Sequence, residues 1–519
     1  MNGAETLLHT LVRAGVSTCF GNPGTSEVHF VKGLDSVTDM RCVLALAENV
    51  ATGAADGYAR ISEGTAATLL HCGPGLANGM ANLHNARKAG SSIVNLVGDQ
   101  AQFHGYRNPP LASDTENVAR SVSAWTRRVN SSLTIGMDAA SAVLQSRLGG
   151  GAIASLVLPS DVCWGPGGPM GASLAPPPRP RVDDAAIEAA AGALMSGTST
   201  ALVLGDAALT DACTRLAAAI ARRTGARVFA HSFIRRMARG GGRPAIERIP
   251  YAVPAARQAF SGVTQVVLAG AEPPVFAFAG PDGISGPAHP EAVFTTLGDK
   301  GHDLEAALRA LSERVNAFSH AGAGQPGPVS TLAPARGSVS PAAFGQSLSA
   351  LLPNDAIVVD EGITFGRSVY DATHHAARHD WLQLTGGAIG SGLPLATGAA
   401  IAAPHRRVVT LQADGSGLYT VQALWTQARE RLDVTTVVFS NRRYDILFNE
   451  MKRMGVSPGA SAERLFSLDD PALDWVRIAN GFGVEAATAR SMEEFNDLFA
   501  HSLRRSGPFL IELRCDPAG

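Results

Sequence analysis

Short, continuous apolar runs rich in β-branched residues alternate with stretches of helical spacing along this chain. Near the N-terminus, the runs TAATLLHC (65–72) and SSIVNLVG (91–98) are separated by NGMANLHNARKAG (78–90), in which apolar residues recur at helical intervals. Strands that are apolar throughout, rather than alternately apolar and polar, are typical of parallel sheets covered by helices on both faces. The first part of the chain is therefore predicted to be an α/β domain.

The same alternation recurs in two further segments. Its strand-like runs are TALVLGD (200–206), TQVVLAG (264–270), AIVVDEG (356–362), RRVVTLQAD (406–414), VTTVVFSN (434–441) and FLIELRC (509–515). Linkers rich in Pro and Gly at 165–180 and 320–341 separate the segments, because such sequences form neither helices nor paired strands. We predict an α/β fold of three doubly wound parallel-sheet domains, with boundaries at 1–164, 183–318 and 341–519.

Two oxygen-bearing side chains follow neighbouring runs of the last segment. Asp414 ends the run RRVVTLQAD, a helix is predicted over 414–433, and Asn441 ends the next strand. Ligands of parallel α/β sheets bind at the carboxyl ends of the strands, and a carboxylate with an amide oxygen suits Mg²⁺ or Ca²⁺. The N–H groups of 415–417 open the predicted helix, where phosphate oxygens bind. The pattern favours a diphosphate held through a metal ion, and the alternative is that Asp414 only caps a helix.

Composition narrows the classes of partner. The formal net charge of the 519 residues is -2, so no basic surface for nucleic acid is indicated. No run of 18 apolar residues or signal peptide is present, so we expect no membrane segment and a cytoplasmic protein. The six cysteines contain no C-x-x-C pair, which argues against a disulfide scaffold or a zinc site. Small molecules and copies of the same chain are the expected partners.

Asp414 and Asn441 belong to a longer pattern. D-G-S followed by Asn441 resembles the thiamine diphosphate (ThDP) motif usually written G-D-G…N-N, with Ala413 in place of the first glycine and Arg442 in place of the second asparagine. Further matches are FGNPGTSE (20–27), ALAENVATGAADGYAR (45–60), LLHCGPGLANG (69–79) and LTGGAIGSGLPLATGAA (384–400). Together they resemble the decarboxylase and carboligase branch of ThDP enzymes, the family of acetolactate synthase and benzoylformate decarboxylase.

This resemblance implies the ThDP-enzyme architecture and a set of cofactor contacts. The N-terminal domain would bind the pyrimidine, a central α/β domain would follow, and the C-terminal domain would bind the diphosphate. Ile389 would be the bulky residue beneath the bent cofactor, and its alternative is a core isoleucine. Gly387 would accept a hydrogen bond from the pyrimidine amine. The remaining implied contacts are Mg²⁺ ligands from Asp414, Asn441 and the main-chain oxygen of Arg443, and diphosphate or cavity contacts from Gly415, Ser416 and Tyr444.

Three residues of the first segment have implied catalytic roles. Glu48 would hydrogen-bond the pyrimidine and promote its imino tautomer, and its alternative is a surface glutamate. His71 stands where benzoylformate decarboxylase has a catalytic histidine and could relay protons near neutral pH. Thr25 could bind the carboxylate of the substrate, and its alternative is a turn cap.

The implied reaction is the ThDP- and Mg²⁺-dependent, non-oxidative decarboxylation of a 2-oxo acid. The product would be an aldehyde or, after ligation to a second carbonyl, a hydroxyketone. His71 favours the first outcome, whereas the following GPG resembles acetolactate synthase, and Ala279 stands where the decarboxylase has its second histidine. In relatives, the pyrimidine and diphosphate domains meet across a subunit interface, so a homodimer or a dimer of dimers is expected.

Other interpretations remain open at this point. CGPGLANG (72–79) with Asp99 imitates a dinucleotide-binding fingerprint, although NAD would leave Glu48, Asp414 and Asn441 without roles. FAD, which acetolactate synthases bind, is not expected, because the central segment is short and has no fingerprint. A third interpretation is a non-catalytic ThDP-enzyme homologue that acts as a scaffold or regulator, which the altered motif around Asp414 and Arg442 suggests.

Overall fold

A computed structural model describes residues 1–280, 283–317 and 332–516. Its first sheet has six parallel strands in the order β2-β1-β3-β4-β6-β5. The strands are β1 (Thr18–Gly21), β2 (Arg41–Leu44), β3 (Ala66–Leu70), β4 (Ile93–Asp99), β5 (Trp125–Arg128) and β6 (Ile153–Pro159). The α-helices of this part are Gly3–Arg13, Val28–Gly33, Glu48–Ser62, Cys72–Asn78, Met80–Ala89, Gln102–Gly105, Thr115–Arg120, Ile135–Arg147 and Ser160–Trp164.

The second sheet lies in the centre of the sequence and has five parallel strands in the order β10-β8-β7-β11-β12. The strands are β7 (Thr200–Leu204), β8 (Arg227–Ala230), β10 (Glu247–Arg248), β11 (Gln265–Ala269) and β12 (Val293–Gly298). The helices around it are Asp184–Leu194, Asp211–Thr224, Val253–Ala259 and Leu304–Arg314.

The third sheet has seven strands in the order β17-β18-β16-β15-β13-β14-β9. The strands are β9 (Met237–Arg239), β13 (Ala356–Glu361), β14 (His379–Gln383), β15 (Val408–Ala413), β16 (Val434–Ser440), β17 (Glu485–Ala489) and β18 (Phe509–Arg514). The helices are Pro341–Leu351, Ile363–Gly366, Val369–Ala372, Gly392–Ala402, Asp414–Gly417, Ala423–Arg429, Asp445–Arg453, Ala460–Phe466, Trp475–Gly481 and Met492–Leu503.

The third sheet receives one strand from the central part of the chain. β9 pairs with β14 in antiparallel orientation, whereas the other pairings of this sheet are parallel. The guanidinium of Arg239 at the end of β9 lies over the Tyr370 ring, 3.5 Å from its centroid, and fixes this edge. The central and C-terminal parts are thus joined by a strand as well as by the chain.

Both faces of the sheets are covered, as the apolar strands predicted. In β4, Ile93 and Val97 pack into one core, while Val94 and Leu96 pack into the core on the opposite face. The first of these cores is continuous with the third sheet, since it also contains Val359 of β13. The first and third sheets therefore share a hydrophobic core that brings their helices together.

Two glycine-rich helices form the contact between the first and third sheets. The helix Glu48–Ser62 crosses the helix Gly392–Ala402 so closely that a Cβ on Gly57 would lie 2.0 Å from the carbonyl oxygen of Leu395. Only glycine permits this approach of one backbone to another. The contact fixes the position of Glu48 relative to the segment that precedes Gly392.

The strands and the α/β class predicted from the sequence are confirmed. The single helix predicted over 414–433 is wrong, because the structure divides it into Asp414–Gly417, a 3₁₀ turn Leu418–Thr420 and Ala423–Arg429. The domain boundaries stay predictions, and most of the predicted linker 320–341 lies outside the described residues. Within the described ranges, every helix is too short or too polar to cross a bilayer.

Candidate active site

Asp414 and Asn441 lie side by side at one edge of the third sheet. The strands that precede them, β15 and β16, are parallel neighbours, so the predicted adjacency is confirmed. Asp414 is only 3 % exposed, and its carboxylate accepts the N–H of Gly415 at 2.8 Å and that of Arg442 at 2.6 Å. Burial raises its pKa to about 6, although these N–H donors act in the opposite direction. Asp414 therefore joins two strand ends, which a helix cap alone does not do.

The two arginines beside Asn441 do not direct free positive charge at this edge. The Arg443 guanidinium forms an ion pair with Asp445 and lies 4.7 Å from the centroid of the Phe448 ring, and the Arg442 side chain is exposed. The amide of Asn441 donates to the other Asp445 oxygen at 2.7 Å. The altered motif is therefore compatible with a cation at Asp414 and Asn441.

Arg442 stands at a backbone position that favours asparagine. Its φ is 59°, in the left-handed region where asparagine is tolerated better than residues with long side chains. We expect Arg442→Asn to raise the free energy of unfolding by about 1 kcal/mol, because the backbone strain is relieved. Thermal unfolding of the cofactor-free variant and native chain measures this change in stability.

The matched control for this substitution is Arg431→Asn. Arg431 has a φ of 52° and follows the helix Ala423–Arg429, away from the motif. Both variants should gain stability if the backbone argument holds, and a lower midpoint for Arg442→Asn alone would contradict it.

A cavity of about 1700 Å³ opens at this sheet edge. Its lining includes the predicted cofactor residues Gly387, Ile389, Asp414, Gly415, Ser416, Asn441, Arg443 and Tyr444. Ile389 is half-buried and lines the cavity, so the interpretation as a core residue is wrong. Gly387 has a φ of 79°, and a Cβ there would meet no atom within 4 Å, which leaves open space beside it.

The wall of this cavity suits a metal-bound diphosphate. A Cβ on Gly415 would lie 2.5 Å from the Tyr444 ring, so the ring packs directly on the glycine backbone. A buried carboxylate, an amide oxygen and free space for phosphate and water are the donor set that Mg²⁺ prefers. The residues present therefore fit the cofactor that the sequence predicted.

Glu48 and His71 lie together at the carboxyl edge of the first sheet. Glu48 begins the helix Glu48–Ser62, is 7 % exposed, and accepts a hydrogen bond from the Asn78 amide at 3.2 Å. A Cβ on Gly75 would lie 2.6 Å from Glu48 Oε1 and 3.3 Å from His71 Cβ, which shows how near the two side chains are. The interpretation of Glu48 as a surface glutamate is wrong.

His71 is held by two residues that the sequence analysis did not select. Its Nδ1 lies 2.9 Å from Glu27 Oε2 and 3.0 Å from Ser26 Oγ. Glu27 is buried, and its Oε2 also accepts the Gly24 N–H at 2.8 Å. Thr25, the predicted substrate contact, lies in the same 3₁₀ turn with an exposed side chain. The spacing alone could not show that the turn faces His71, because 44 residues separate Glu27 from it.

Cys72 completes a group that resembles a metal site. Ligand atoms of Glu27, His71 and Cys72 lie within 4.8 Å of one another. However, burial raises the pKa of the Cys72 thiol to about 11, and its sulfur lies 3.2 Å from Ser26 Oγ. Ser26, Glu27, His71 and Cys72 form a hydrogen-bonded network around the imidazole.

The candidate residues form two groups within one chain. Glu48, His71 and Thr25 do not appear among the described residues that line the 1700 Å³ cavity, whereas the diphosphate and metal residues do. Each group lies at the carboxyl edge of its own parallel sheet, where ligands bind. The cavity therefore contains the predicted diphosphate and metal residues but not the predicted residues of the first sheet.

Comparisons with known proteins assign this arrangement to a family. Residues 1–109 match the family described as "Thiamine pyrophosphate enzyme, N-terminal TPP binding domain", and residues 366–513 match its C-terminal TPP binding domain. A Mycobacterium tuberculosis protein named "Putative acetolactate synthase large subunit IlvX" is 44 % identical over 99 % of both chains. The chain belongs to the ThDP-dependent enzymes. The two matched regions contain Glu48 and Asp414, which lie in the two separate groups.

Other relatives of this ThDP enzyme extend over the whole chain. A benzoylformate decarboxylase of Pseudomonas aeruginosa is 28 % identical over 97 % of both chains. The structure of the ThDP-dependent 4-hydroxybenzoylformate decarboxylase of Rhodococcus jostii RHA1 superposes with a TM-score of 0.82 over 100 % of both chains, at 22 % identity. The latter shows the shared three-sheet fold.

Family membership also decides between the earlier interpretations. The dinucleotide interpretation of CGPGLANG is wrong, since this run lies within the N-terminal ThDP-binding region. The Asp99 carboxylate, which would bind a ribose in that interpretation, is paired with Arg128 at 2.5 Å. The non-catalytic interpretation finds no support in relatives named as a synthase and a decarboxylase.

Proposed function

We propose that this ThDP enzyme decarboxylates a 2-oxo acid and releases an aldehyde, or a hydroxyketone after ligation to a second carbonyl. The observation that carries the proposal is the buried Glu48 beside His71, together with the Asp414 and Asn441 pair at the cavity. Relatives named as an acetolactate synthase and a benzoylformate decarboxylase are consistent with both products. The proposed metal is Mg²⁺.

The third sheet would hold the cofactor in this proposal. Asp414, Asn441 and the main-chain oxygen of Arg443 would bind Mg²⁺, and the turn at Gly415 and Ser416 would contact the diphosphate, with the Gly415 N–H shared with the Asp414 carboxylate. Tyr444, Gly387 and Ile389 would line the remainder, with Ile389 supporting the bent cofactor. When bound, ThDP supplies the carbon nucleophile and the electron sink for decarboxylation.

The first sheet would supply the acid and base groups. Glu48 would hydrogen-bond the pyrimidine and hold the proton that its tautomers exchange. His71 Nδ1 is engaged by Glu27 and Ser26, so Nε2 is the nitrogen that would transfer a proton to the product. Thr25 would bind the carboxylate of the 2-oxo acid.

A second copy of the chain would unite the two groups. Two exposed aromatic residues follow β4 of the first sheet, at whose carboxyl edge Glu48 and His71 also lie. They are Phe103, which is 65 % exposed, and Tyr106, which is 74 % exposed. Exposed apolar side chains of this size favour a protein interface. We therefore infer a homodimer, alone or within a dimer of dimers, in which each active site takes Glu48 from one chain and Asp414 from the other.

Decarboxylation tests this function directly. CO₂ release is measured with a panel of 2-oxo acids, aliphatic and aromatic, with Mg²⁺ and ThDP supplied or omitted, and the products are separated into aldehydes and hydroxyketones. Turnover that requires both additions supports the proposal, and the products decide between lyase and ligase. Absence of turnover, with no rise in the thermal midpoint on adding Mg²⁺ and ThDP, would refute it.

Complementation tests the shared site. The variants Glu48→Gln and Asp414→Asn should each be inactive alone, yet their mixture after subunit exchange should recover about a quarter of native activity, because half of the dimers are mixed and each has one intact site. Recovery requires that the two residues come from different chains. An inactive mixture, with exchange shown by mass-labelled subunits, would contradict the shared site.

Glu27→Gln is expected to lower kcat by about 10- to 100-fold. Glu27 Oε2 lies 2.9 Å from His71 Nδ1 and accepts the Gly24 N–H at 2.8 Å, and a neutral carboxamide would no longer stabilise a positive charge on the imidazole. The positioning and protonation of the imidazole should therefore be impaired while the fold persists. Steady-state kinetics on the best substrate measures it, with Glu116→Gln, which lies on the outer helix Thr115–Arg120, as control. An unchanged kcat would show that Glu27 does not position His71.

A further inference from the structure

Glu361 is a buried carboxylate to which none of the roles above applies. It ends β13 beside β15, it is 2 % exposed, and it lines the same cavity as Asp414. Burial raises its pKa to about 7, while backbone N–H donors act in the opposite direction. Buried acids with such perturbed pKa values are concentrated at functional sites.

The partners of Glu361 are on either side of Ile389 in the sequence. Oε1 accepts the N–H of Gly390 at 2.6 Å, and Oε2 accepts the N–H of Gly392 at 2.5 Å. Gly390 has a φ of 90°, which permits this turn of the backbone. One carboxylate therefore forms two hydrogen bonds with the backbone of the segment that contains Ile389.

The same carboxylate is connected to the diphosphate turn. The buried Gln412, two residues before Asp414, donates its amide to Glu361 Oε2 at 3.2 Å and to Ser416 Oγ at 2.7 Å. A Cβ on Gly392 would lie 2.3 Å from Gln412 Oε1 and 2.9 Å from Glu361 Oε2, so the three groups are in close contact.

The opposite side of the Ile389 segment is fixed by other elements. The Asn85 amide donates to the Ala388 carbonyl at 2.7 Å, and the Gly390 carbonyl accepts from Asn82 at 3.2 Å and from the Thr420 hydroxyl at 2.9 Å. The backbone around Ile389 is thus held between the helix Met80–Ala89 and Glu361. The backbone around Ile389 could therefore move only if one of these hydrogen bonds were broken.

We propose that Glu361 is a positioning residue that fixes Ile389 relative to the Asp414–Gly417 turn, so that the support of the bent cofactor and its diphosphate site form one rigid unit. This inference rests on the proposed function, since it concerns the same ThDP site. Its physical basis is that two backbone donors need two acceptor oxygens, which a carboxylate offers and a carboxamide does not. Preorganised contacts of this kind hold the groups of a binding site in the geometry that the reaction needs.

Glu361→Gln tests the proposal without requiring activity. The carboxamide presents an NH₂ group to one backbone N–H, so one contact with Gly390 or Gly392 is lost. Amide hydrogen exchange of the cofactor-free native chain and variant is compared by mass spectrometry. We expect peptides covering 386–393 and 414–418 to exchange about tenfold faster or more in the variant.

Asp360→Asn is the matched control. Asp360 is the preceding residue of β13, is also buried, and accepts the Gly362 N–H at 3.1 Å rather than contacting the Ile389 segment. Exchange in 386–393 should be native-like in this variant. Equal acceleration in both variants, or none in Glu361→Gln, would overturn the proposal, because the carboxylate would then act only as a general structural group or not at all.

Kinetics and cofactor binding add a second readout. If Glu361 positions Ile389, Glu361→Gln should lower kcat by about tenfold or more with little change in KM, and should weaken the binding of ThDP with Mg²⁺ measured by calorimetry. A change in KM alone would contradict a positioning role. Failure of the native chain to bind ThDP would instead refute the proposed function, and the exchange experiment would still report separately on the contact between Glu361 and the Ile389 segment.

Discussion

Glu48→Gln is expected to reduce kcat by about 10³-fold while the chain remains folded. Glutamine has the size of glutamate and can still accept from the Asn78 amide, which lies 3.2 Å from Glu48 Oε2. It cannot hold or release a proton, and the proposed mechanism needs such a group at the pyrimidine. Steady-state kinetics on the active 2-oxo acid measures the loss, and thermal unfolding verifies the fold.

The variant should retain its cofactor, which separates this effect from a binding defect. The metal and diphosphate ligands belong to the third sheet, so ThDP with Mg²⁺ should still raise the thermal midpoint of Glu48→Gln. Glu63→Gln is the control, because Glu63 lies at the other end of the same helix with its side chain 73 % exposed. A kcat within about twofold of native for Glu48→Gln would remove Glu48 from the mechanism.

Gly57→Ala is expected to lower the free energy of unfolding by about 3 kcal/mol. The new methyl group would lie 2.0 Å from the Leu395 carbonyl oxygen, and a Cβ on Gly398 of the partner helix would meet the Ala54 carbonyl oxygen at 1.8 Å. The helices Glu48–Ser62 and Gly392–Ala402 would have to separate, and the core that joins the first and third sheets would lose packing. Thermal unfolding measures the loss.

The same substitution elsewhere should have the opposite sign. Gly192 lies in the helix Asp184–Leu194, and a Cβ there would meet no atom within 4 Å. Alanine favours the helix by about 1 kcal/mol over glycine, so Gly192→Ala should stabilise the chain. If Gly57→Ala were also stabilising, the two helices would not be in backbone contact.

Much of the candidate site followed from the sequence because it is local. Asp414 and Asn441 were placed at neighbouring strand ends from one strand-helix-strand unit, and the register of β15 and β16 confirms that placement. Glu48 was selected through the resemblance of ALAENVATGAADGYAR (45–60) to the ThDP family, and the structure buries its side chain. The helix over 414–433 failed because the chain tightens after Gly417 into the 3₁₀ turn Leu418–Thr420 before the helix Ala423–Arg429 begins.

Other parts of the site depend on contacts between distant residues. Glu27 contacts His71 across 44 positions, and Glu361 contacts Gly390 across 29. Neither pairing has a local pattern, because a carboxylate in a short turn or at a strand end has no periodicity that indicates its partner. The partners of such residues can be identified only once the arrangement of the strands is known.

The sequence by itself determined the α/β class and the strands, since hydrophobic periodicity acts within a few positions along the chain, and its resemblance to the ThDP family selected the candidate site residues. Only the tertiary structure decided that β9 joins the third sheet, that Ser26 and Glu27 hold His71, and that Glu361 grips the Ile389 segment. It also placed Asp414, but not Glu48, in the wall of the 1700 Å³ cavity. The reason is that these features arise from packing between elements far apart in sequence, where the chain topology, rather than local preference, selects which side chains meet.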